Sequence, residues 1–189
     1  MGSALLAMAK ADIALQEALA REGSLYGGYH PRMRALHEAN AAELARVIRE
    51  SGWPDAGRFG AEAAEAAWLI VQHAISRPDL MRQGLLLLTE AVEAGRAPAW
   101  QMAYLSDRIA VFEGRPQLFG TSFDWGDDGR LSPCPLADSE RVDELRQSVG
   151  LPPLSVETAR HRATAEPCPA DLAAYRRAQE AFARSCGWR

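Results

Sequence analysis

The stretch Ala67-Trp68-Leu69-Ile70-Val71-Gln72-His73-Ala74 decides how this chain is read. It is an apolar segment interrupted by only two polar side chains, Gln72 and His73. A helix over residues 60–76, stopped by Arg77-Pro78, contains it. On that helix His73 shares a face with Leu69, Ala66 and Glu62. A largely buried helix is the starting point, and its imidazole is the first candidate for chemistry.

Helix signals recur on both sides. Leu5, Met8, Leu15 and Leu19 repeat at helical spacing, broken by Lys10, Asp12 and Glu17, which reads as an amphipathic packing helix over residues 1–23. A glycine-rich turn through Tyr26, Gly27 and Gly28 leads to a second helix starting at Pro31, where a missing N–H costs nothing. Met33, Leu36, Leu44, Val47 and Ile48 form its buried stripe, and Gly52-Trp53-Pro54 ends it. Beyond Pro78, one helix carries residues 85–92 and stops at Gly95; another begins near Pro98 and carries Trp100, Tyr104, Leu105, Ile109 and Val111.

After Pro116 the texture changes to Gly, Pro, Asp and aromatics. Residues 117–123 and 130–136 read as a hairpin with Asp128-Gly129 as a primed-type turn. Asp138-Ser139-Glu140 opens a further helix closed by Gly150, residues 152–167 read as a flexible connection, and a last helix runs from about Pro169 to Gly187. The expected fold is mainly α: a single-domain helical bundle over residues 1–189, with a small β-hairpin near residues 117–136 and a C-terminal extension, 155–189, that carries a helix.

Composition narrows the functional classes. With 189 residues, 48% hydrophobic and 24% charged, the chain has the balance of a globular domain. Its net charge of -4 offers no overall basic field, so nucleic acid is not an expected partner. No basic start and apolar run resembles a signal peptide, and the longest apolar run, residues 85–88, is far too short for a bilayer, so a cytoplasmic location without membrane partners is expected. The sequence carries no signal of oligomeric state.

Familiar signatures fail on chemistry. Cys134, Cys168 and Cys186 are odd in number and lack C-x-x-C spacing. His37-Glu38-Ala39-Asn40-Ala41 starts like a zincin helix, but Ala41 stands where the second histidine is needed. Residues 124–135 resemble a calcium loop with Gly126 and Pro135 at ligand positions. No phosphate loop or nucleophile elbow is present. On spacing alone, no metal ligand set and no cofactor are expected.

The informative residues are polar side chains on apolar helical faces. Asn40 falls between Leu36 and Leu44, with His37 at the edge of the same stripe. A buried amide without partners costs on the order of 1–3 kcal/mol, so Asn40 either tethers a neighbouring loop or faces a ligand. Gln72 and His73 pose the same choice between a satisfied core pair and a site. Farther on, Gln101, Tyr104 and Arg108 lie close together on one helix, with Asp107 three residues from Tyr104. The Asp107-Arg108 pair is either an interhelix salt bridge or a fork for a carboxylate or phosphate. Gln117 and Thr121, an even number apart on the expected strand, face the same way. Five arginines, Arg160, Arg162, Arg176, Arg177 and Arg184, mark a solvated C-terminal face.

Gly52-Trp53-Pro54, residues 67–74, Ala103-Tyr104-Leu105-Ser106-Asp107-Arg108 and residues 114–121 together resemble an uncharacterised bacterial domain-of-unknown-function family across residues 36–154. The resemblance implies a shared architecture and brings no activity. It also implies three departures here: His37 where the family tends to carry an acid, Ile75 rather than an acid after the Gln-His-Ala motif, and Ser122 in place of a glutamine.

These residues suggest a small-molecule enzyme without a redox cofactor, doing acid/base chemistry by hydrolysis, elimination or cyclisation. His73, Asp107 and Arg108 are the expected catalytic group, with Asn40, Gln72, Tyr104, Gln117, Thr121 and His37 around the substrate. His73, Arg108 and Gln117 are expected to line one cavity. The alternative is a non-catalytic ligand-binding or interaction module.

Overall fold

Helices begin and end where the chain's own chemistry requires. The computed structural model describes residues 1–25 and 28–189; the Tyr26-Gly27 part of the expected turn lies outside the described residues. The contacts sort the chain into two compact units, Met1–Ala97 and Pro98–Arg189.

In the first unit, α1 (Gly2–Arg21) is followed by α2 (Pro31–Ser51), α3 (Ala56–Phe59), α4 (Ala61–His73) and α5 (Pro78–Glu93). Pro31 opens α2, and the His30 side chain accepts from the Arg32 N–H at 3.2 Å. Asp55 caps the short α3, which the sequence did not announce, by accepting from the Arg58 N–H at 3.1 Å. Its second oxygen accepts from Arg96 at 2.7 Å.

Helix α4 packs against α1, α2, α3 and α5. Ala63, Ala66, Ala67, Ile70 and Val71 are all buried along it, which is why its sequence is nearly continuous in apolar residues. It ends at His73 rather than running to residue 76. Small residues let α5 approach closely: a Cβ on Gly84 would stand 2.8 Å from Val71 Cγ2.

The second unit holds α6 (Ala99–Phe112), strands β1 (Phe123–Trp125) and β2 (Leu131–Pro133), then α7 (Val142–Ser148), α8 (Leu154–Ala163) and α9 (Leu172–Ser185). Ala103, Phe119 and Val149 form a buried cluster. The strands pair antiparallel, Phe123 opposite Pro133 and Trp125 opposite Leu131. They are shorter than expected, and five residues join them instead of a two-residue primed turn. Only Gly129 adopts positive φ there, at 69°, while Asp128 caps the Arg130 N–H at 3.0 Å.

Residues 152–167, expected as a flexible connection, are mostly helix. The Asp143 carboxylate accepts from the Leu154 N–H at 2.7 Å. His161 stacks on Phe123 with ring centroids 4.2 Å apart, and Arg162 donates to the Leu131 carbonyl at 2.8 Å. Tertiary contacts, not periodicity, hold α8 in place. The fold is mainly α with one small hairpin, and no helix is long and apolar enough to cross a membrane among the described residues.

Candidate functional site

Helix α1 buries Leu5, Ala9, Asp12 and Leu19 along one stripe, so its carboxylate points into the first unit and is fully inaccessible. A bare carboxylate there would be prohibitively costly, and two imidazoles compensate it. His73, the last residue of α4, donates from Nδ1 to Asp12 Oδ2 at 2.8 Å. His37 of α2 brings Nε2 to 3.2 Å from the same oxygen, outside hydrogen-bonding alignment. Burial pushes the Asp12 carboxyl up, but the two imidazoles outweigh it and hold it at about 2.

The rings of His37 and His73 lie 5.0 Å apart, and the Tyr29 hydroxyl meets His37 Nδ1 at 2.8 Å. With Tyr29 donating, the remaining His37 proton sits on Nε2, facing Asp12. Two buried atoms of this centre, Asp12 Oδ1 and His37 Nε2, have no hydrogen-bond partner among the described residues. One donor atom from each of Asp12, His37 and His73 falls within 4.8 Å of the others, a set able to hold a metal ion. Linear spacing hid this ligand set, because three helices supply it.

Beside the centre, α1 and α4 border a cleft of about 540 Å³ that His73 helps to line. Leu6, Ile13, Trp68 and Leu69 make its apolar walls; Lys10, Glu62 and Glu65 bring charge. Since Nδ1 of His73 is tied to Asp12, Nε2 is the nitrogen left to meet a ligand.

The other expected residues divide between the units. Asn40 and Gln72 are buried in the first, with Asn40 Nδ2 and both Gln72 amide atoms lacking partners among the described residues. In the second, Asp107 anchors the loop after α6. Its oxygens accept from the N–H groups of Leu118 at 2.9 Å, Phe119 at 3.1 Å and Thr121 at 2.9 Å, and from Thr121 Oγ1 at 2.9 Å.

Gln117, fully buried, donates to the carbonyls of Ser122 and Cys134 and accepts from the Ser122 N–H. Buried Arg146 donates to the Pro152, Phe119 and Gly120 carbonyls. The motif over residues 114–121 is thus a loop rather than a strand, its polar groups satisfied by Asp107, Ser122, Cys134 and Arg146. Arg108 makes no hydrogen bond or ion pair with Asp107 or any other described residue. Tyr104 is half-buried, which raises its phenol, and meets Trp100 edge-on at 6.0 Å.

Fold and centre together define a mainly α protein with a buried Asp-His-His cluster at the edge of a cleft. The chain belongs to the Family of unknown function (DUF6624), whose model matches residues 1–163. The match takes in α1 with Asp12, ahead of the resembling segment at 36–154, and stops before α9. No curated protein and no solved structure matches the chain.

Proposed function

We propose that this protein is a small-molecule enzyme whose acid/base group is His73, held and oriented by Asp12. The observation that carries the reading is the 2.8 Å bond from His73 Nδ1 to a fully buried, ionised Asp12 at the edge of the 540 Å³ cleft. An imidazole with Nδ1–H fixed on a carboxylate presents an unprotonated Nε2. That nitrogen takes a proton from a substrate, or from a water attacking it, and the developing imidazolium is stabilised by Asp12. The walls suit a substrate with an apolar body, and Lys10 at the cleft suits an anionic end. Hydrolysis, elimination and cyclisation all use such a base. His37, its ring tilted against that of His73 and backed by Tyr29, keeps Asp12 in position.

The test is turnover across a panel of esters, lactones, amides and hydroxy acids. His73→Gln, whose amide can still donate to Asp12, is expected to lower turnover by roughly 10²–10⁴-fold in a chain that stays folded, with some loss of Tm. Turnover that survives the substitution removes His73 from the chemistry, and saturable ligand binding without turnover favours the binding-module reading.

A second reading has its own observation. Asp12, His37 and His73 offer a two-histidine, one-carboxylate donor set, in which Asp12 Oδ1 and His37 Nε2 bond to no described residue. The Tyr29 hydroxyl, bonded to His37 Nδ1, would orient that imidazole towards a metal through its other nitrogen. A first-row divalent cation held there leaves positions open for water or substrate. Metal analysis after incubation with zinc, iron or manganese separates the two: one stoichiometric ion, lost in Asp12→Ala, supports the metal reading. Turnover that persists after chelation supports the metal-free one.

A further inference from the structure

Arg108, on α6 in the second unit, carries a charge that nothing answers. The side chain is partly buried; its Nε is sealed from solvent, and no described residue bonds to that atom or forms an ion pair with the guanidinium. Burial alone pushes its guanidinium down, with no carboxylate close enough to counter that. The neighbouring Asp107 has both oxygens committed to Leu118, Phe119 and Thr121. Desolvating part of a guanidinium without a partner is unfavourable, and an anion in the cleft that its remaining nitrogens face would offset that cost.

The guanidinium borders a cleft of about 360 Å³ within the second unit. Ser122 lines it as well: its backbone N–H is spent on Gln117, and its hydroxyl bonds to no described residue. So does His161, whose Nε2 lies 3.4 Å from Glu157 Oε1, leaving Nδ1 for a ligand. Phe123 and Leu131 add apolar wall, and no carboxylate lines the cleft. We propose that this cleft binds a small monocarboxylate with an apolar body, its carboxylate paired with Arg108 and hydrogen-bonded by Ser122. One unpaired positive charge balances one negative charge, and a planar guanidinium matches a planar carboxylate. The apolar wall takes the rest of the molecule.

Benzoate and hexanoate are the probes, titrated into the full chain by calorimetry, with methyl benzoate and inorganic phosphate as separate arms. The expected result is one-to-one binding of at least one carboxylate and none of the ester. Arg108→Gln is expected to weaken that binding about tenfold or more, and Ser122→Ala by less. Arg108→Met, which removes the unpaired charge and keeps the stem, is expected to raise Tm in the absence of ligand. Phosphate binding as tightly as the carboxylates overturns the assignment. So does carboxylate binding that Arg108→Gln leaves unchanged, or no carboxylate binding by a folded wild-type chain. His73→Gln is expected to leave benzoate binding untouched, so failure here is distinct from failure of the acid/base reading.

Discussion

At Asp107 four donors from three residues converge on two oxygens, so this carboxylate holds the loop of residues 117–121 in place. Asp107→Ala strands three N–H groups, that of Phe119 buried and those of Leu118 and Thr121 partly so, and is expected to cost about 2–4 kcal/mol in urea unfolding. A loss below about 1 kcal/mol contradicts the anchoring role. Cys134 follows a different logic. Burial, then the negative charge of Asp124, pushes its thiol up to about 11 from 9.0. Two pH units cut the thiolate roughly 100-fold, and the higher nucleophilicity of a more basic thiolate returns about tenfold. Alkylation of Cys134 at pH 8 is therefore expected to be about tenfold slower than that of a thiol in a short peptide, a ratio that mass spectrometry reads. The sign for stability follows: as pH rises from 9.0 towards 11 the unfolded chain ionises first, so folding weakens. Asp12 shows why part of the site stayed hidden. In sequence it is one polar break in an amphipathic helix, yet its position seven residues from both Leu5 and Leu19 puts it on the buried stripe.

At the scale of the elements, close approach sets the first unit. Gly84→Ala would gain roughly 1 kcal/mol of helix propensity in α5. It also drives a methyl to 2.8 Å from Val71 Cγ2, an overpacking that costs about 1–3 kcal/mol. The clash is the larger effect, so the substitution is expected to lower Tm, and Val71→Ala in the same chain to restore part of the loss. Most helices were legible, because Pro31, Gly52, Gly95, Gly150 and Gly187 mark boundaries by backbone chemistry that needs no neighbours. Helix α8 was not. Its residues 154–163 carry little amphipathic pattern, and stacking of His161 on Phe123 together with Arg162 on Leu131 decides their conformation. The hairpin was legible in place but not in turn type, since Asp128 caps the backbone instead of adopting positive φ.

Across the whole molecule, the mainly α architecture implies a circular dichroism spectrum dominated by helix, and strand content exceeding helix content would contradict it. His73 was legible as a polar residue on an apolar face, but its partners were not: Asp12 lies 61 residues away in sequence. No local pattern encodes such a meeting. The central claim concerns which nitrogen of His73 carries the proton, and the chain has only four histidines, so their imidazole signals are readily assigned. Long-range nitrogen–proton NMR on protein labelled with ¹⁵N-histidine reads this directly. Neutral His73 is expected to be the Nδ1–H tautomer in the wild-type protein, with a weaker preference in Asp12→Ala. A neutral His73 found as the Nε2–H tautomer, with or without Asp12, would contradict it.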